Sequence, residues 1–257
     1  MTWSDKKEKN QKPFWKSNCD PESFFEASAY EEAQRSGWHD VIKKIKHPLK
    51  KNPRLTKYIP FGILLHMEKD FSTKNKIIQV SLKLFSEKGY DAIGVQEIVT
   101  KCGITKPTLY YYFGSKLGLL QEIVNSFGGE LYKRISSKAK YDYDFIKNLT
   151  DILYTVVEFA KEVPDFFKFH NALLFYPSDN EAYKVHYEIQ KKINKCFDDL
   201  FINGTAQLGN MKGYELLFAR NFQTIVMGTA CSVLNGEEVN DDTIYRVVRA
   251  FLYGVAN

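Results

Sequence analysis

The sequence predicts an all-α protein, and three observations support this fold class. Beyond residue 70, apolar residues recur at three- and four-residue steps, the spacing of helices that bury one face. Proline and glycine interrupt this spacing at intervals typical of turns between helices. No segment alternates apolar and polar residues over the length of a strand. We therefore expect nine helices after residue 70 and no sheet.

Composition indicates an ordinary globular protein. The chain has 257 residues, of which 44% are apolar and 26% charged. Residues 1–30 lack the apolar core of a secretion signal, and the apolar stretch 216–234 carries Arg220, Asn221 and Gln223. We therefore expect a cytoplasmic protein with no membrane segment. Its four cysteines lie far apart and are expected to be reduced: Cys19, Cys102, Cys196 and Cys231.

Charge is distributed unevenly along the chain. The 36 basic and 31 acidic residues give a net charge of +5. Residues 1–66 carry +5, residues 71–116 carry +4, and residues 128–257 carry −2. A basic region on a neutral protein suits contact with a phosphate backbone, although a solvated charged face would have the same composition.

Residues 1–66 show little pattern, and we interpret them as a partly disordered or weakly helical extension. Pro48, Pro53 and Pro60 break regular structure there. In one hypothesis the functional protein begins at Met67 and the extension is dispensable. In the other, the basic run 47–57 is an arm that adds phosphate contacts. We favour the first.

Local signals place the helices. Ser72 or Thr73 is expected to cap the first helix, which Gly89 closes, and Thr105 to cap the third. Pro107 fits the first turn of that third helix, where no N–H is needed. The other helices are predicted at 95–102, 116–137, 144–161, 164–175, 178–201, 214–234 and 242–255.

Six positions have the spacing of a helix-turn-helix, namely Ile98, Val99, Cys102, Gly103, Ile104 and Leu109. The apolar members would be buried between the two helices, and Gly103 permits the positive φ that the turn needs. The second helix then exposes polar and aromatic side chains to a groove.

With its flanking residues, this motif resembles the tetracycline-repressor (TetR) family of bacterial transcription regulators over residues 73–124. Ser81 and Val99 stand where that family usually has Ala, and Gly94 stands where a Thr or Ser cap is usual. The residues that carry the resemblance are Leu84-Phe85, Gly89-Tyr90, Ile98-Val99, Cys102-Gly103-Ile104-Thr105, Leu109-Tyr110, Tyr112-Phe113, Ser115-Lys116 and Leu119-Leu120.

The resemblance implies a helix-turn-helix DNA-binding domain over residues 67–120 and a multi-helix ligand-binding and dimerisation domain over 121–257. It also implies an obligate homodimer that binds a palindromic operator in double-stranded DNA, most simply as a ligand-responsive repressor. Each subunit would place its third helix in the major groove.

Carried over by position, the start of the third helix would lie nearest the base edges, and the following tyrosines would contact phosphates. Core packing is the alternative for each tyrosine. The predicted DNA-binding residues are Lys74, Gln96, Thr105, Lys106, Pro107, Thr108, Tyr110, Tyr111, Tyr112 and Lys116.

Aromatic residues are concentrated in the expected effector domain, with 12 Phe or Tyr among the 47 residues 141–187. Beside carboxylates they would suit a small-molecule effector that is aromatic or lipophilic. Packing in the core is the alternative. The candidate ligand-binding residues are Glu158, Phe159, Glu162, Phe166, Phe169, His170 and Tyr176.

The last two helices would pair across the dimer axis, although packing within one subunit explains the same residues. The candidate interface residues are Gly228, Cys231, Ser232, Val248 and Phe251.

Other classes of protein are less well supported. No phosphate loop, nucleophile elbow or H-E-x-x-H motif is present, so we expect neither an enzyme nor a cofactor. His170 and His186 share no metal-ligand spacing with Cys196, so no metal is expected. The remaining alternative is an all-α adaptor or scaffold without sequence-specific DNA binding.

Overall fold

The computed structural model describes residues 61–205, 207 and 211–253. The chain divides into two compact units, residues 1–75 and 76–257. Of the first unit, the described part is the beginning of one helix, so the extension predicted over residues 1–66 lies almost wholly outside the described residues. Apart from the start of the first helix, which includes Lys74, the residues discussed below lie in the second unit.

The described residues are helical and contain no strand, as predicted. The fourth predicted helix is divided into two α-helices by a short π-helical segment. The helices are α1 (Phe61–Lys88), α2 (Val95–Cys102), α3 (Lys106–Phe113), α4 (Lys116–Ile123), the π-helical segment Val124–Gly128, α5 (Gly129–Lys138), α6 (Phe145–Glu162), α7 (Pro164–Leu173), α8 (Glu181–Gly204), α9 (Glu215–Leu234) and α10 (Asp241–Tyr253).

The predicted start of the first helix is wrong. Helix α1 begins at Phe61, so Ser72 and Thr73 lie in its interior and are not at its N-terminus. No proline follows Pro60 until Pro107, and a potential cap residue does not end a helix that can continue through it. The expected domain boundary at residue 67 therefore also falls within α1.

The π-helical segment was not predicted, because the sequence pattern favours one unbroken helix over 116–137. The helical path does continue from Lys116 to Lys138, but its turn widens at Val124–Gly128. Within this segment Phe127 stacks on Phe166 of α7, with ring centroids 5.4 Å apart. Such a widened turn depends on packing against other helices, which has no local sequence signal.

Helix α8 begins three residues later than predicted. Asn180 is its N-cap, and the Asn180 side-chain oxygen accepts a hydrogen bond of 2.7 Å from the Ala182 N–H. Asn is among the preferred cap residues, and this bond satisfies one of the free N–H groups of the first turn.

Helix α6 lies at the centre of the body, where it packs against α5, α7, α9 and α10. One face of α6 is completely buried from Phe145 to Ala160. Helix α3 packs on α2 and on α4, and α4 leads from it into the body. We call residues 89–116, which contain α2 and α3, the head, and the helices from α4 onwards the body. The body therefore supports a small helix-turn-helix head.

Candidate nucleic-acid interface

The turn between α2 and α3 has the geometry that the motif predicts. Gly103 adopts φ 66° and ψ 38°, in the left-handed region. The Gly103 N–H donates to the Thr100 carbonyl at 3.2 Å, and the Ile104 N–H donates to the Val99 carbonyl at 3.0 Å. These two bonds end α2 and turn the chain directly into α3.

The apolar side of the motif is buried, as its spacing predicts. Ile98 and Leu109 are fully buried, and Val99 and Cys102 are nearly so. Ile104 is half-buried and packs against the same core. Because these side chains hold α2 against α3, the opposite side of α3 is fixed in place.

The first turn of α3 is capped and exposed. The Thr105 hydroxyl accepts from the Thr108 N–H at 3.4 Å and lies 2.9 Å from the Thr108 hydroxyl. Thr105, Lys106 and Pro107 are exposed, and Thr108 is half-buried. The start of the helix therefore offers an ammonium and hydroxyl groups to solvent, together with the free N–H groups of a helix N-terminus.

The tyrosines of α3 differ in exposure. Tyr110 is 45% exposed and Tyr111 is 61% exposed, whereas Tyr112 is half-buried and packs against the core. The Tyr112 ring lies 5.1 Å from Tyr111 and 6.0 Å from Phe113. Tyr110 and Tyr111 are thus placed to contact a ligand, while Tyr112 acts mainly as their support.

Two predicted contacts lie outside α3. Gln96 is exposed on the first turn of α2, where its side-chain amide donates to the Thr100 hydroxyl at 3.4 Å. Lys74 is half-buried on α1. Lys88, the last residue of α1, forms an ion pair of 2.7 Å with Glu97 in the first turn of α2. This ion pair neutralises the one acidic side chain of α2.

Lys116 lies in a different environment from the one expected of a phosphate contact. Its ammonium lies 3.9 Å from the centre of the Tyr90 ring, a cation–π geometry. Burial at this position lowers the pKa of Lys116, while the carboxylates of Asp91 and Glu181 favour its charged form.

The start of α4 is fixed closely against the end of α3. The Ser115 hydroxyl caps α4 by accepting from the Gly118 N–H at 2.9 Å. A Cβ atom at Gly118 would overlap the carbonyl oxygen of Phe113, so only glycine fits there. Helices α3 and α4 therefore form one rigid corner.

The candidate ligand-binding residues have different surroundings, some in the core and others at the surface. Phe159, Phe166 and Phe169 are buried and contact other aromatic rings of the core. Tyr176 accepts a hydrogen bond from a backbone N–H of the head, and Glu162 forms an ion pair of 2.9 Å with Arg134.

Glu158 lies apart from the others, in a surface cavity of about 490 Å³ between α6 and the start of α10. It pairs there with Lys161 at 2.8 Å. The cavity is lined by Tyr154, Glu158, Lys161, Glu238, Val239, Asn240, Asp241, Asp242 and Ile244.

His170 forms a pair with His186 that the sequence did not reveal. Nε2 of His186 lies 2.9 Å from Nδ1 of His170, and both side chains are buried. Burial lowers the pKa of His186 to about 4 and that of His170 well below its ordinary value. Over the residues described, no third His, Cys, Asp or Glu joins them as a metal-ligand group.

The candidate dimer residues divide between surface and core. Gly228 is exposed, with open space where a Cβ would lie. Cys231 and Ser232 are half-buried, and the Asn171 amide contacts the Cys231 sulfur at 3.1 Å. Phe251 is half-buried, with its ring 5.0 Å from Phe222.

Val248 is only 2% exposed and packs in the core of this chain, which is the alternative that the sequence left open for these residues. The exposed side chains of α10 include Tyr245, Arg249 and Tyr253.

Three further findings concern expectations from composition. Cys102, Cys196 and Cys231 are free thiols, while Cys19 lies outside the described residues. None of the helices described is long and apolar enough to cross a membrane.

Sequence reasoning missed a group of polar residues that join the head to the body. Tyr90, Asp91, Asn180 and Glu181 form hydrogen bonds across the two parts of the molecule. The two residues of each hydrogen-bonded pair are about 90 residues apart in sequence, so no local pattern connects them.

Comparison with known proteins agrees with the motif. Residues 77–123 match the family described as bacterial regulatory proteins, tetR family. The chain is 38% identical over 86 residues to the uncharacterised HTH-type transcriptional regulator YuxN of Bacillus subtilis, which is 32% of this chain and 30% of YuxN. It is 42% identical over 52 residues to the HTH-type transcriptional repressor BdcR of Escherichia coli, which is 20% of this chain and 26% of BdcR. The matches thus span about a third or less of these two relatives.

Solved structures extend the likeness of fold to the body. The TetR-family regulator PfmR from Thermus thermophilus is 20% identical with a TM-score of 0.58, over 70% of this chain and 99% of PfmR. The regulator FadR from Bacillus subtilis, solved with stearoyl-CoA, is 19% identical with a TM-score of 0.57, over 70% of this chain and 98% of FadR. At these identities the likeness concerns the fold alone.

Proposed function

We propose that this chain, a member of the TetR family of bacterial regulatory proteins, is a cytoplasmic transcriptional repressor. In this proposal it binds a palindromic operator as a homodimer and releases it when a lipophilic small molecule binds. The matching family is one of regulators and not of enzymes, as the sequence predicts.

The observation that carries the proposal is the contrast between the two sides of α3. Leu109 is fully buried, while Lys106, Tyr110 and Tyr111 are exposed beside it on an eight-residue helix. A helix held rigidly from behind, with a basic and hydrogen-bonding outer side, fits a major groove. An adaptor helix without a nucleic-acid partner has no need of this combination.

Selection of bound duplexes from a random DNA pool tests the proposal and yields the operator. We then expect Lys106→Ala and Tyr111→Ala each to weaken operator binding by about 1–3 kcal/mol, measured by fluorescence anisotropy at fixed salt.

Tyr187→Ala is the matched control, because Tyr187 is also exposed but lies on α8. Selection that enriches no sequence, or full affinity in both α3 variants, would favour the adaptor instead.

The homodimer is supported by the outer surfaces of the last two helices. Leu217 and Gly228 on α9 and Tyr245 and Tyr253 on α10 are exposed, an apolar surface that a second subunit would cover. We expect Gly228→Trp to keep its fold but sediment as a monomer, because the new side chain has open space within its own subunit. Gly129→Trp, on α5, is the control, since the space beside Gly129 is also open. A dimeric Gly228→Trp would place the interface elsewhere.

The lipophilic effector is supported by the aromatic body and by FadR, whose structure contains stearoyl-CoA. We expect stearoyl-CoA to release the selected operator in the same anisotropy assay, since a ligand that prefers one conformation shifts the population towards it. Free coenzyme A is the control for the head group. Equal release by both would contradict recognition of the acyl chain.

A further inference from the structure

The turn between α1 and α2 is bonded to the body by three hydrogen bonds. The Tyr90 N–H donates to the Tyr176 hydroxyl at 3.1 Å, and the Tyr90 hydroxyl donates to a Glu181 carboxylate oxygen at 2.5 Å. The Asn180 side-chain amide donates to the Asp91 carboxylate at 2.8 Å. Two adjacent residues of the head are therefore held by one short stretch of the body, residues 176–181.

The Tyr90 ring anchors this turn in the core. The ring is only 1% exposed and packs edge-on against Phe85, with centroids 5.3 Å apart. Phe85 in turn lies 5.6 Å from Phe169 of α7. Burial and the Glu181 carboxylate raise the pKa of the Tyr90 phenol, so this hydroxyl stays protonated and continues to donate.

The same ring also holds the far end of the helix-turn-helix. Lys116, the first residue of α4, places its ammonium over the Tyr90 ring at 3.9 Å. The carboxylates of Asp91 and Glu181 attract this ammonium. Residues 90 and 116 lie on either side of α2 and α3 in sequence, so both chain connections of the head meet at the Tyr90 ring, whose hydroxyl donates to Glu181 of α8.

We propose that Tyr90, Glu181 and Lys116 form a joint that fixes the angle of α3 relative to the body. The proposal rests on the DNA-reading function above and adds the residues that set its geometry. In a dimer, the two bodies are held together, so the angle of each head determines the distance between the two α3 helices. The joint therefore sets the spacing of operator half-sites that the protein accepts.

The three side chains are positioning residues and are not themselves base contacts. In this arrangement Lys116 serves the joint in place of the phosphate contact predicted from the sequence. Because Glu181 is an exposed residue at the start of α8, its bond to Tyr90 can be altered without opening a cavity in the core. Its main consequence is orientation, and an altered joint should change geometry before it changes folding.

The test uses the full chain and three substitutions that keep side-chain shape, Tyr90→Phe, Glu181→Gln and Lys116→Met. The selected operator is compared with versions in which the central spacer is one base pair shorter or longer. We expect the unmodified protein to prefer its own spacing, and Glu181→Gln to lose about fivefold or more of that preference. Base preferences within each half-site should stay unchanged, because α3 itself is intact.

Asp199→Asn is the matched control. It removes the same charge from the same helix, in a surface ion pair with Lys195 that does not contact the head. We expect it to keep the spacing preference. If Glu181→Gln and Tyr90→Phe also keep the full preference and affinity, the joint does not set the spacing.

Hydrogen–deuterium exchange gives a second readout that needs no DNA. We expect Glu181→Gln to speed exchange in residues 89–113 while α6 and α9 keep the rates of the control. If residues 89–113 of Glu181→Gln exchange no faster than those of Asp199→Asn, the proposed joint is contradicted, even if the protein binds DNA. Faster exchange in the head, together with no DNA selected by any variant, would keep the joint and refute the proposed function.

Discussion

Helices α3 and α7 are both short and rich in aromatic residues, but their rings have opposite surroundings. Tyr110 and Tyr111 of α3 are 45% and 61% exposed, whereas Phe166, Phe167 and Phe169 of α7 are at most 1% exposed. The exposed rings carry hydroxyl groups that can hydrogen-bond to water or phosphate, and the buried rings carry none. Aromatic content alone therefore does not tell a surface helix from a core helix, whereas the exposure of the rings does.

The largest expected difference between the two helices concerns stability. Phe169→Ala should lower the free energy of unfolding by about 3–5 kcal/mol, because it leaves a cavity beside Phe85. Tyr111→Ala should change it by less than about 0.5 kcal/mol, as is usual for an exposed side chain. Urea denaturation of both variants measures this. A small effect of Phe169→Ala would mean that α7 is not packed as described.

The second prediction concerns how the stability of the protein depends on pH through His186 of α8, which contacts His170 of α7. The folded protein keeps His186 neutral, with a pKa lowered to about 4, whereas the unfolded chain takes up a proton near pH 6.5. The contribution of neutral His186 to the free energy of unfolding is therefore fully present above pH 6.5 and is lost as the pH falls towards 4. Between pH 7 and 4.5 we expect His186 alone to account for a loss of about 2 kcal/mol in the free energy of unfolding.

Urea denaturation across this pH range checks the loss. The double variant His170→Phe with His186→Leu should have a flatter profile, because neither replacement titrates. A profile as steep as that of the unmodified protein would assign the pH dependence to other groups.

The third prediction separates the hydroxyl from the ring on α3. Tyr111→Phe keeps the ring and should weaken operator binding by about 1 kcal/mol, the usual contribution of one hydrogen bond. Its stability should be unchanged. Anisotropy titration against the selected operator measures the loss. Unchanged affinity would show that Tyr111 contributes through its ring alone.

The smallest expected effect is at the start of α3. Thr105→Ala removes the N-cap, and we expect it to cost about 0.5 kcal/mol of stability, the low end for caps, because the bond is 3.4 Å long. Thr105→Ser keeps the hydroxyl and is the control. A loss above about 2 kcal/mol would exceed the range of a cap and indicate that Thr105 supports more than its own helix.

The sequence by itself determined the helix-turn-helix. Gly103 at positive φ, the Thr105 and Ser115 caps, and the burial of Ile98 and Leu109 all follow from interactions within a few residues or from the periodicity of a helix. The end of α3 at Gly114 follows in the same way. The exposure of Lys106, Tyr110 and Tyr111 follows from the same periodicity, whereas Thr108 and Tyr112 are half-buried.

Tertiary structure alone decided which side chains meet across the chain. Tyr90 and Glu181 are 91 residues apart, and His170 and His186 are 16 apart, so no local spacing relates them. Lys116 and Val248 have ordinary helical positions in the sequence, but packing puts one over a buried ring and the other inside its own subunit. Periodicity tells which side of a helix is apolar, whereas the partner of that side depends on how all the helices fill one core.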